Sequence, residues 1–275
     1  MLNLQLEVTT KCNLSCVECP HRMMRRPTMH MSDEVFARIV NDYIPALDPD
    51  AVILNKDGEP LLHPKINDML LQIADKTEAP IDIYTNGIPI KQSLFDTIAK
   101  MENKVRLLVT FHYHDADGNE YDYDAVESAL IDGLNTWYPD ENLHMILVTH
   151  MTDFMSEEKA AAWQKRWLSI SGMHPYLYAV HINRTINSWA GLIKQKNNTP
   201  PYRQCLYHHF DFLFIGVTGK VVGCCGDIEE ETAFGHINED PQLTLDRAGA
   251  FYRQILAAGE NIGYDVCRRC ISDVR

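Results

Sequence analysis

Three cysteines near the N-terminus have a spacing that suits metal chemistry. Cys12, Cys16 and Cys19 follow residues 2–8, where apolar side chains alternate with polar ones as they do in a β-strand. Three thiolates on one short loop can ligate three irons of a cubane iron–sulfur cluster, which normally takes four cysteine ligands. The fourth iron is then open to a small molecule, which is typical of catalytic rather than structural metal sites. A zinc-binding loop is the alternative interpretation of this spacing.

Two further motifs follow the cysteines, and each comes directly after an apolar run that predicts a strand. They are Gly58-Glu59-Pro60 after residues 51–54 and Thr85-Asn86-Gly87 after residues 81–84. A glycine at the end of a strand permits close backbone approach, and the proline fixes the turn that follows. Either motif alone is an ordinary turn sequence, so their value lies in their order along the chain.

In that order, the three motifs resemble those of the radical S-adenosylmethionine (SAM) family. The resemblance implies a [4Fe–4S] cluster on the three cysteines, whose open iron binds the amino and carboxylate groups of SAM. It also implies reductive cleavage of SAM to methionine and a 5′-deoxyadenosyl radical that abstracts hydrogen from a substrate. The SAM contacts that it implies are Glu18, Gly58, Glu59, Pro60, Thr85, Asn86, His112 and Thr149. Glu18 departs from the family, which usually has an aromatic or apolar residue just before the last cysteine.

The first two-thirds of the chain alternate between strand and helix patterns. The predicted strands are residues 2–8, 51–55, 81–85, 105–111, 143–149 and 176–182. Their alternation with helices implies a parallel sheet with right-handed crossovers. In α/β barrels the carboxyl ends of the strands surround the active site, and all three motifs fall at such ends. We therefore expect an α/β fold, whose first domain over residues 1–187 is the partial (β/α)6 barrel that the family resemblance implies.

The remaining five cysteines lie in the last third of the chain. Their pattern is Cys205-x13-Gly219-x4-Cys224, with Cys225 adjacent, followed by Cys267-x2-Cys270. This pattern resembles the twitch domain, a shortened form of the SPASM domain that follows many radical SAM cores. The resemblance implies a small α+β twitch domain over residues 188–275, in which Cys205, Cys224, Cys267 and Cys270 bind one auxiliary [4Fe–4S] cluster. A structural zinc ion is the alternative occupant. Cys225 is expected to be a buried thiol beside the site rather than a ligand.

Composition and charge limit the classes of partner. The formal net charge of −13 argues against a general polyanion-binding surface, so nucleic acid is possible but not indicated. The basic segment at residues 21–26 is either a solvated loop or a local site for an anionic substrate or partner. The sequence has no apolar run near the roughly 18 residues that a membrane span needs. The N-terminus lacks the pattern of a signal peptide, so we expect a cytoplasmic protein with reduced thiols.

Two clusters in one chain favour a net two-electron oxidation, in which the second cluster removes an electron from the product radical. We expect a small-molecule or nucleotide-like substrate and an electron donor such as flavodoxin or ferredoxin. Deprotonation of a substrate radical needs a base, for which the candidates are Asp227, Arg184, His208 and His209. The alternatives are a radical isomerase of a modified nucleotide, as in phage DNA hypermodification, or a ribosomal-peptide maturase. A metal-stabilised binding or electron-transfer module is disfavoured, because an electron carrier is better served by four thiolates than by three.

Overall fold

A computed structural model of the chain describes residues 2–136, 142–171, 174, 177–198, 205, 207, 211–258 and 262–272. Its centre is a sheet with the strand order β6-β5-β4-β3-β2-β1-β7-β8-β9. The strands are Asn3–Leu6 (β1), Ala51–Leu54 (β2), Ile81–Thr85 (β3), Val105–Phe111 (β4), Leu143–His150 (β5), Leu177–Asn183 (β6), Phe212–Ile215 (β7), Lys220–Val222 (β8) and Gly235–His236 (β9).

Helices connect the parallel strands and follow the last hairpin. They are Asp33–Arg38 (α1), Ile44–Leu47 (α2), Ile66–Ala74 (α3), Gln92–Ile98 (α4), Asp124–Thr136 (α5), Glu157–Ser171 (α6), Pro241–Ala258 (α7) and Asp265–Ser272 (α8). A π-helical turn over Ile39–Tyr43 joins α1 to α2. Ser32 caps α1, its hydroxyl accepting a hydrogen bond from the backbone N–H of Val35. None of the helices within the described ranges is long and apolar enough to cross a membrane.

The first six strands are all parallel, and the sheet does not close on itself. This arrangement confirms the predicted partial barrel. Along β4 and β5, fully buried side chains alternate with half-buried ones. One face of these strands packs in the main apolar core with the helices, while the other face supplies side chains such as Thr110 and His150 to a cavity.

The C-terminal segment continues the same sheet. Strands β7 and β8 form an antiparallel hairpin, which turns at Gly219. However, β7 also pairs in parallel with β1, from Asn3 opposite Phe212 to Leu6 opposite Ile215. The sheet is therefore continuous across the predicted domain boundary at 187/188. That residues 188–275 form a domain of their own stays a prediction.

Candidate functional site

The three N-terminal cysteines lie on the loop that leaves β1, and all three line one cavity of about 450 Å³. Cys16 is buried and pairs through its backbone with Asp115, in the loop after β4. The same cavity is lined by residues at the carboxyl ends of β2, β3, β4 and β5. The parallel sheet thus brings the cysteine loop and the two turn motifs to one place, as the strand-end argument predicts.

Gly58 lies where the second motif presses against the cysteine loop. A Cβ atom on Gly58 would be 2.8 Å from the carbonyl oxygen of Lys11 and closer still to that of Thr9. Next to it, the backbone N–H of Glu59 donates to the carbonyl of Lys11 at 2.8 Å. The contact is backbone against backbone, so glycine is required for steric reasons at this position.

The Glu59 side chain ties the second motif to the third. Its carboxylate accepts hydrogen bonds from the Thr85 hydroxyl at 2.8 Å and from the Asn86 backbone N–H at 2.7 Å. It also accepts from the backbone N–H of Leu61, at the start of the 3₁₀ turn that Pro60 opens. Burial raises the pKa of Glu59 to about 7, although these donors oppose the shift. The Asn86 side chain in turn donates to Asn13 Oδ1 at 2.9 Å, which connects the third motif to the cysteine loop.

A polar group of three side chains stands beside the cysteines. His112 Nδ1 lies 2.8 Å from Glu18 Oε1, and the rings of His112 and His150 stack with their centroids 5.6 Å apart. All three residues line the cavity. The second oxygen of Glu18, Oε2, is buried and has no hydrogen-bond partner among the residues that the structure describes. Burial, together with the neighbouring His112, lowers the pKa of His150 to about 4. An unpaired carboxylate oxygen and a neutral imidazole at one wall suit a polar ligand.

The side chain of Thr149 does not reach this wall, and its role in SAM binding stays a prediction. Its side chain is fully buried, and its hydroxyl donates to the carbonyl of Phe111 at 3.1 Å. Because side chains alternate along a strand, the next residue, His150, reaches the cavity instead. The apolar residues of β5 lie on both faces of the strand, so hydrophobicity alone does not select between these two positions.

The second set of cysteines surrounds a smaller cavity of about 70 Å³. Its lining includes Cys205, Cys224, Cys225, Cys267 and Cys270. Cys224 lines only this smaller cavity, whereas Cys225 lines both cavities. The Cys225 Sγ lies 3.0 Å from the hydroxyl oxygen of Tyr207. Both cysteines border the smaller cavity, so the assignment of Cys224 as the ligand and of Cys225 as a thiol beside the site stays a prediction.

The two cavities are neighbours. They share Asn187, Trp189, Tyr207 and Cys225 in their linings. Trp189 belongs to a tight turn in which it and Ala190 both have positive φ angles, 49° and 54°. A single layer of side chains therefore separates the space next to the first cysteine set from the space next to the second.

Both thiol sets fit iron–sulfur clusters in their chemistry. Cysteine thiolates are the usual ligands of such clusters. Three cysteines line only the larger cavity, four line only the smaller one, and Cys225 lines both. Burial raises the pKa of Cys12 to about 11 and that of Cys270 to about 11. These groups are protonated thiols at neutral pH before metal binds, so binding a cluster displaces their protons.

Two of the predicted bases, Asp227 and Arg184, are described by the structure. Asp227 is buried, but its carboxylate accepts from the backbone N–H of Glu231 and from the N–H and hydroxyl of Thr232, at 2.6–2.9 Å. Arg184 is largely exposed and pairs with Glu157 at 2.5 Å. Neither residue is among the described residues that line the two cavities, and their role as a base or substrate contact stays a prediction. His208 and His209 lie outside the described residues.

Part of the basic segment turns inward. Arg26 is 11% exposed in its side chain and pairs with Glu7 and Asp57 at 2.8 Å and with Glu230 at 2.9 Å. The interpretation as a site for an anionic partner is therefore wrong for Arg26. Arg25 remains on the surface, with its side chain 83% exposed.

Two protein families match this chain. The radical SAM superfamily matches residues 6–130, and an iron–sulfur cluster-binding domain, SPASM, matches residues 205–271. Between them they include all eight cysteines.

Two proteins of archaea are similar in sequence. The cofactor-modifying protein of tungsten-containing aldehyde ferredoxin oxidoreductase from Pyrococcus furiosus is 27% identical over 101 residues, which is 37% of this chain and 28% of that protein. An uncharacterized protein of Methanocaldococcus jannaschii is 22% identical and covers 93% of this chain and 96% of its own.

Solved structures share the fold. BtrN in complex with AdoMet and 2-DOIA superposes with a TM-score of 0.66 at 18% identity, over 98% of this chain and 93% of that one. SuiB of Streptococcus suis, bound to precursor peptide SuiA, has a TM-score of 0.63 at 14% identity, over 94% of this chain and 66% of SuiB.

Proposed function

Because the chain is a radical SAM enzyme with an auxiliary iron–sulfur domain of the SPASM/twitch type, we propose that it oxidises a small polar or nucleotide-like substrate by two electrons. A radical SAM domain implies a [4Fe–4S] cluster and SAM, and the second domain implies an auxiliary iron–sulfur cluster. When bound, these groups supply a 5′-deoxyadenosyl radical at one site and a one-electron acceptor at the other.

The observation that carries the proposal is the shared wall. A substrate held between the two cavities would meet the radical on one side and the auxiliary site on the other, separated from it only by side chains such as Tyr207 and Cys225. A net oxidation removes one hydrogen atom, then one electron and one proton, and it therefore benefits from an electron acceptor in contact with the substrate site. An isomerisation has no such need.

The roles of the residues follow from their places. Cys12, Cys16 and Cys19 would hold the first cluster. Glu59 holds the second and third motifs together through Thr85 and Asn86, and so shapes the surface where SAM would bind. Gly58 allows this surface to approach the cysteine loop. Glu18 and His112 offer polar atoms to the same space.

The remaining lining of the larger cavity supports a polar substrate. It includes hydrogen-bonding side chains on the strand ends, namely Gln5, Asn55, Lys56, Tyr84 and Thr110. Gln5 and Asn55 bond to each other and Lys56 bonds to Asp57 and Asp227, whereas Tyr84 and Thr110 offer hydroxyl groups that a polar ligand can satisfy. BtrN, which shares the fold, is described in complex with AdoMet and 2-DOIA. An electron donor such as flavodoxin or ferredoxin and a cytoplasmic location belong to the same proposal.

The test begins with anaerobic reconstitution of the full chain, followed by iron and sulfide analysis. About eight irons per chain are expected from two cubane clusters. Dithionite and SAM should then yield 5′-deoxyadenosine, and a variant with Cys12, Cys16 and Cys19 all changed to Ala should yield none. About four irons together with bound zinc would remove the oxidative role of the second site.

Substrate class is tested with deuterated polyols, nucleotides and peptides. A substrate transfers deuterium to 5′-deoxyadenosine, and the proposal predicts a product that has lost two hydrogen atoms. A product of unchanged mass would replace oxidation with isomerisation. Deuterium transfer from peptides alone would favour a peptide maturase.

A further inference from the structure

Five charged side chains meet in the protein interior beside the larger cavity, and we call them the charge cluster: Glu7, Arg26, Lys56, Asp57 and Glu230. Arg26 is at the centre, because its guanidinium donates to all three carboxylates at 2.8–2.9 Å. Lys56 pairs with Asp57. The side chains of Glu7, Lys56, Asp57 and Glu230 are 0–3% exposed.

Each member of the charge cluster comes from a segment that borders a cofactor site. Glu7 directly follows β1, and Arg26 follows the cysteine loop. Lys56 and Asp57 immediately precede Gly58, so they belong to the turn of the second motif. Glu230 lies shortly after Cys224 and Cys225. The charge cluster therefore joins segments from both cofactor-binding regions, in addition to the β1–β7 pairing.

Lys56 makes the most direct connection. The residue borders the larger cavity, and its buried ammonium donates to the backbone carbonyl of Asp227 at 2.9 Å. Arg26 makes a parallel contact, since its Nε donates to the carbonyl of Ile228. The loop after Cys224 is thus held by two cations that belong to the radical SAM core.

These ion pairs allow little independent movement. A buried charge that loses its partner is strongly unfavourable, so displacement of the 227–230 loop would leave Lys56 and Arg26 with unmet hydrogen bonds. Conversely, any shift of Lys56 on ligand binding in the larger cavity is transmitted to the carbonyl of Asp227. Burial alone would lower the pKa of Lys56, but Asp57 and Glu7 raise it above its ordinary value, so the ammonium stays charged.

We propose that Lys56 and Arg26 are positioning residues that couple SAM binding in the larger cavity to occupancy of the auxiliary metal site. The inference rests on the proposed function, which assigns SAM to one cavity and a cluster to the other. Coupling of this kind is reciprocal. An occupied auxiliary site raises the affinity for SAM, and bound SAM raises the affinity of the auxiliary site for its metal group by the same factor. No substrate is needed to observe it.

The experiment measures SAM affinity by equilibrium dialysis on oxidised, iron-counted full-length protein. The auxiliary cluster is removed by a Cys267→Ala, Cys270→Ala double substitution. In the otherwise unchanged protein this removal should weaken SAM binding about tenfold, within the usual range for coupled sites. In a Lys56→Met background, removal should change the affinity by less than about twofold, because the contact with Asp227 is already lost.

Lys56→Met is the principal variant, because it leaves Asp57 paired with Arg26 and so leaves no buried carboxylate alone. Arg26→Lys is the second variant; it keeps the positive charge but lacks the fork that reaches three carboxylates. Arg25→Gln is the matched control, since Arg25 pairs with Glu229 of the same loop from the surface, and it should retain the full effect.

An undiminished effect in the Lys56→Met background would overturn the inference, as would the absence of any effect in the unchanged protein. Failure of the proposed function gives a different result. In that case the protein with both cysteine sets intact would bind no SAM and form no 5′-deoxyadenosine, whatever residue stands at position 56.

Discussion

Replacing Gly58 with Ala tests whether the contact between the second motif and the cysteine loop organises the site. The new Cβ would stand 2.8 Å from the carbonyl oxygen of Lys11 and 2.9 Å from the carbonyl carbon of Thr9, whereas ordinary contact begins at 3.4 Å. Its neighbours are backbone atoms, which cannot rotate away as a side chain can. The cysteine loop must therefore move by more than half an ångström, and it must do so against the hydrogen bond between Glu59 and Lys11.

Overpacking of this kind costs about 1–3 kcal/mol. For a chain of this size, about 2 kcal/mol corresponds to a fall in Tm of roughly 4–8 °C. The effect on chemistry should be larger, because the displaced loop carries the cluster cysteines. A misplacement of about 1 Å can reduce a rate on the order of a hundredfold. We expect Gly58→Ala to retain most of its iron at the auxiliary site and to form 5′-deoxyadenosine far more slowly.

The assay compares thermal unfolding, iron content and the initial rate of 5′-deoxyadenosine formation in three proteins. Gly263→Ala is the matched control, since a Cβ there meets no atom within 4 Å, and it should behave like the unchanged protein. If Gly58→Ala and Gly263→Ala had the same Tm and the same rate, the steric argument for the second motif would be refuted.

Three further predictions follow from the two cavities and their surroundings. Cys225→Ser should retain about eight irons while Cys224→Ser loses about four, as measured by iron analysis after reconstitution, and equal losses would contradict the ligand assignment. Asp227→Asn should lower the free energy of unfolding in urea by about 2 kcal/mol, because it disturbs hydrogen bonds to Thr232. This variant should still form 5′-deoxyadenosine. A variant of full stability that formed none would support Asp227 as a catalytic group. In the folded protein the pKa of His150 is lowered to about 4. As pH falls below about 6.5, His150 therefore gains a proton in the unfolded chain before it does so in the folded protein. The free energy of unfolding should fall by at most about 3 kcal/mol between about pH 6.5 and 4. Urea titrations at several pH values should show a shallower loss for His150→Gln, and identical profiles would argue against a buried neutral imidazole.

Much of the candidate site is predictable from local sequence. The ligand chemistry of Cys12, Cys16 and Cys19 depends on residue type and spacing within one loop, and both turn motifs depend on short runs that end in glycine or proline. The six parallel strands also leave a local signal, since each is an apolar run and a helix pattern follows each of the first five before the next strand. Together these features were enough to place the three motifs at one edge of a sheet.

Other features depend on contacts between residues far apart in the chain. The parallel pairing of β7 with β1 joins segments about 200 residues apart, and no periodicity within either segment records it. The burial of Arg26 depends on Glu7, Asp57 and Glu230, which come from three separate segments. Arg26 and the exposed Arg25 are adjacent arginines in the same basic segment, so the local sequence does not show which of them is buried.

The amino-acid sequence by itself determined the class of chemistry, because thiol spacing and strand-end turns are local properties. The tertiary structure decided which neighbouring residues face the cavities: His150 instead of Thr149, and Cys225 on the wall that both cavities share. It also decided that Asp227 and Arg184 serve local hydrogen bonds and a surface ion pair. The physical reason is that the direction of a side chain is set by packing and by buried charge pairing, which bring together residues that the sequence keeps far apart.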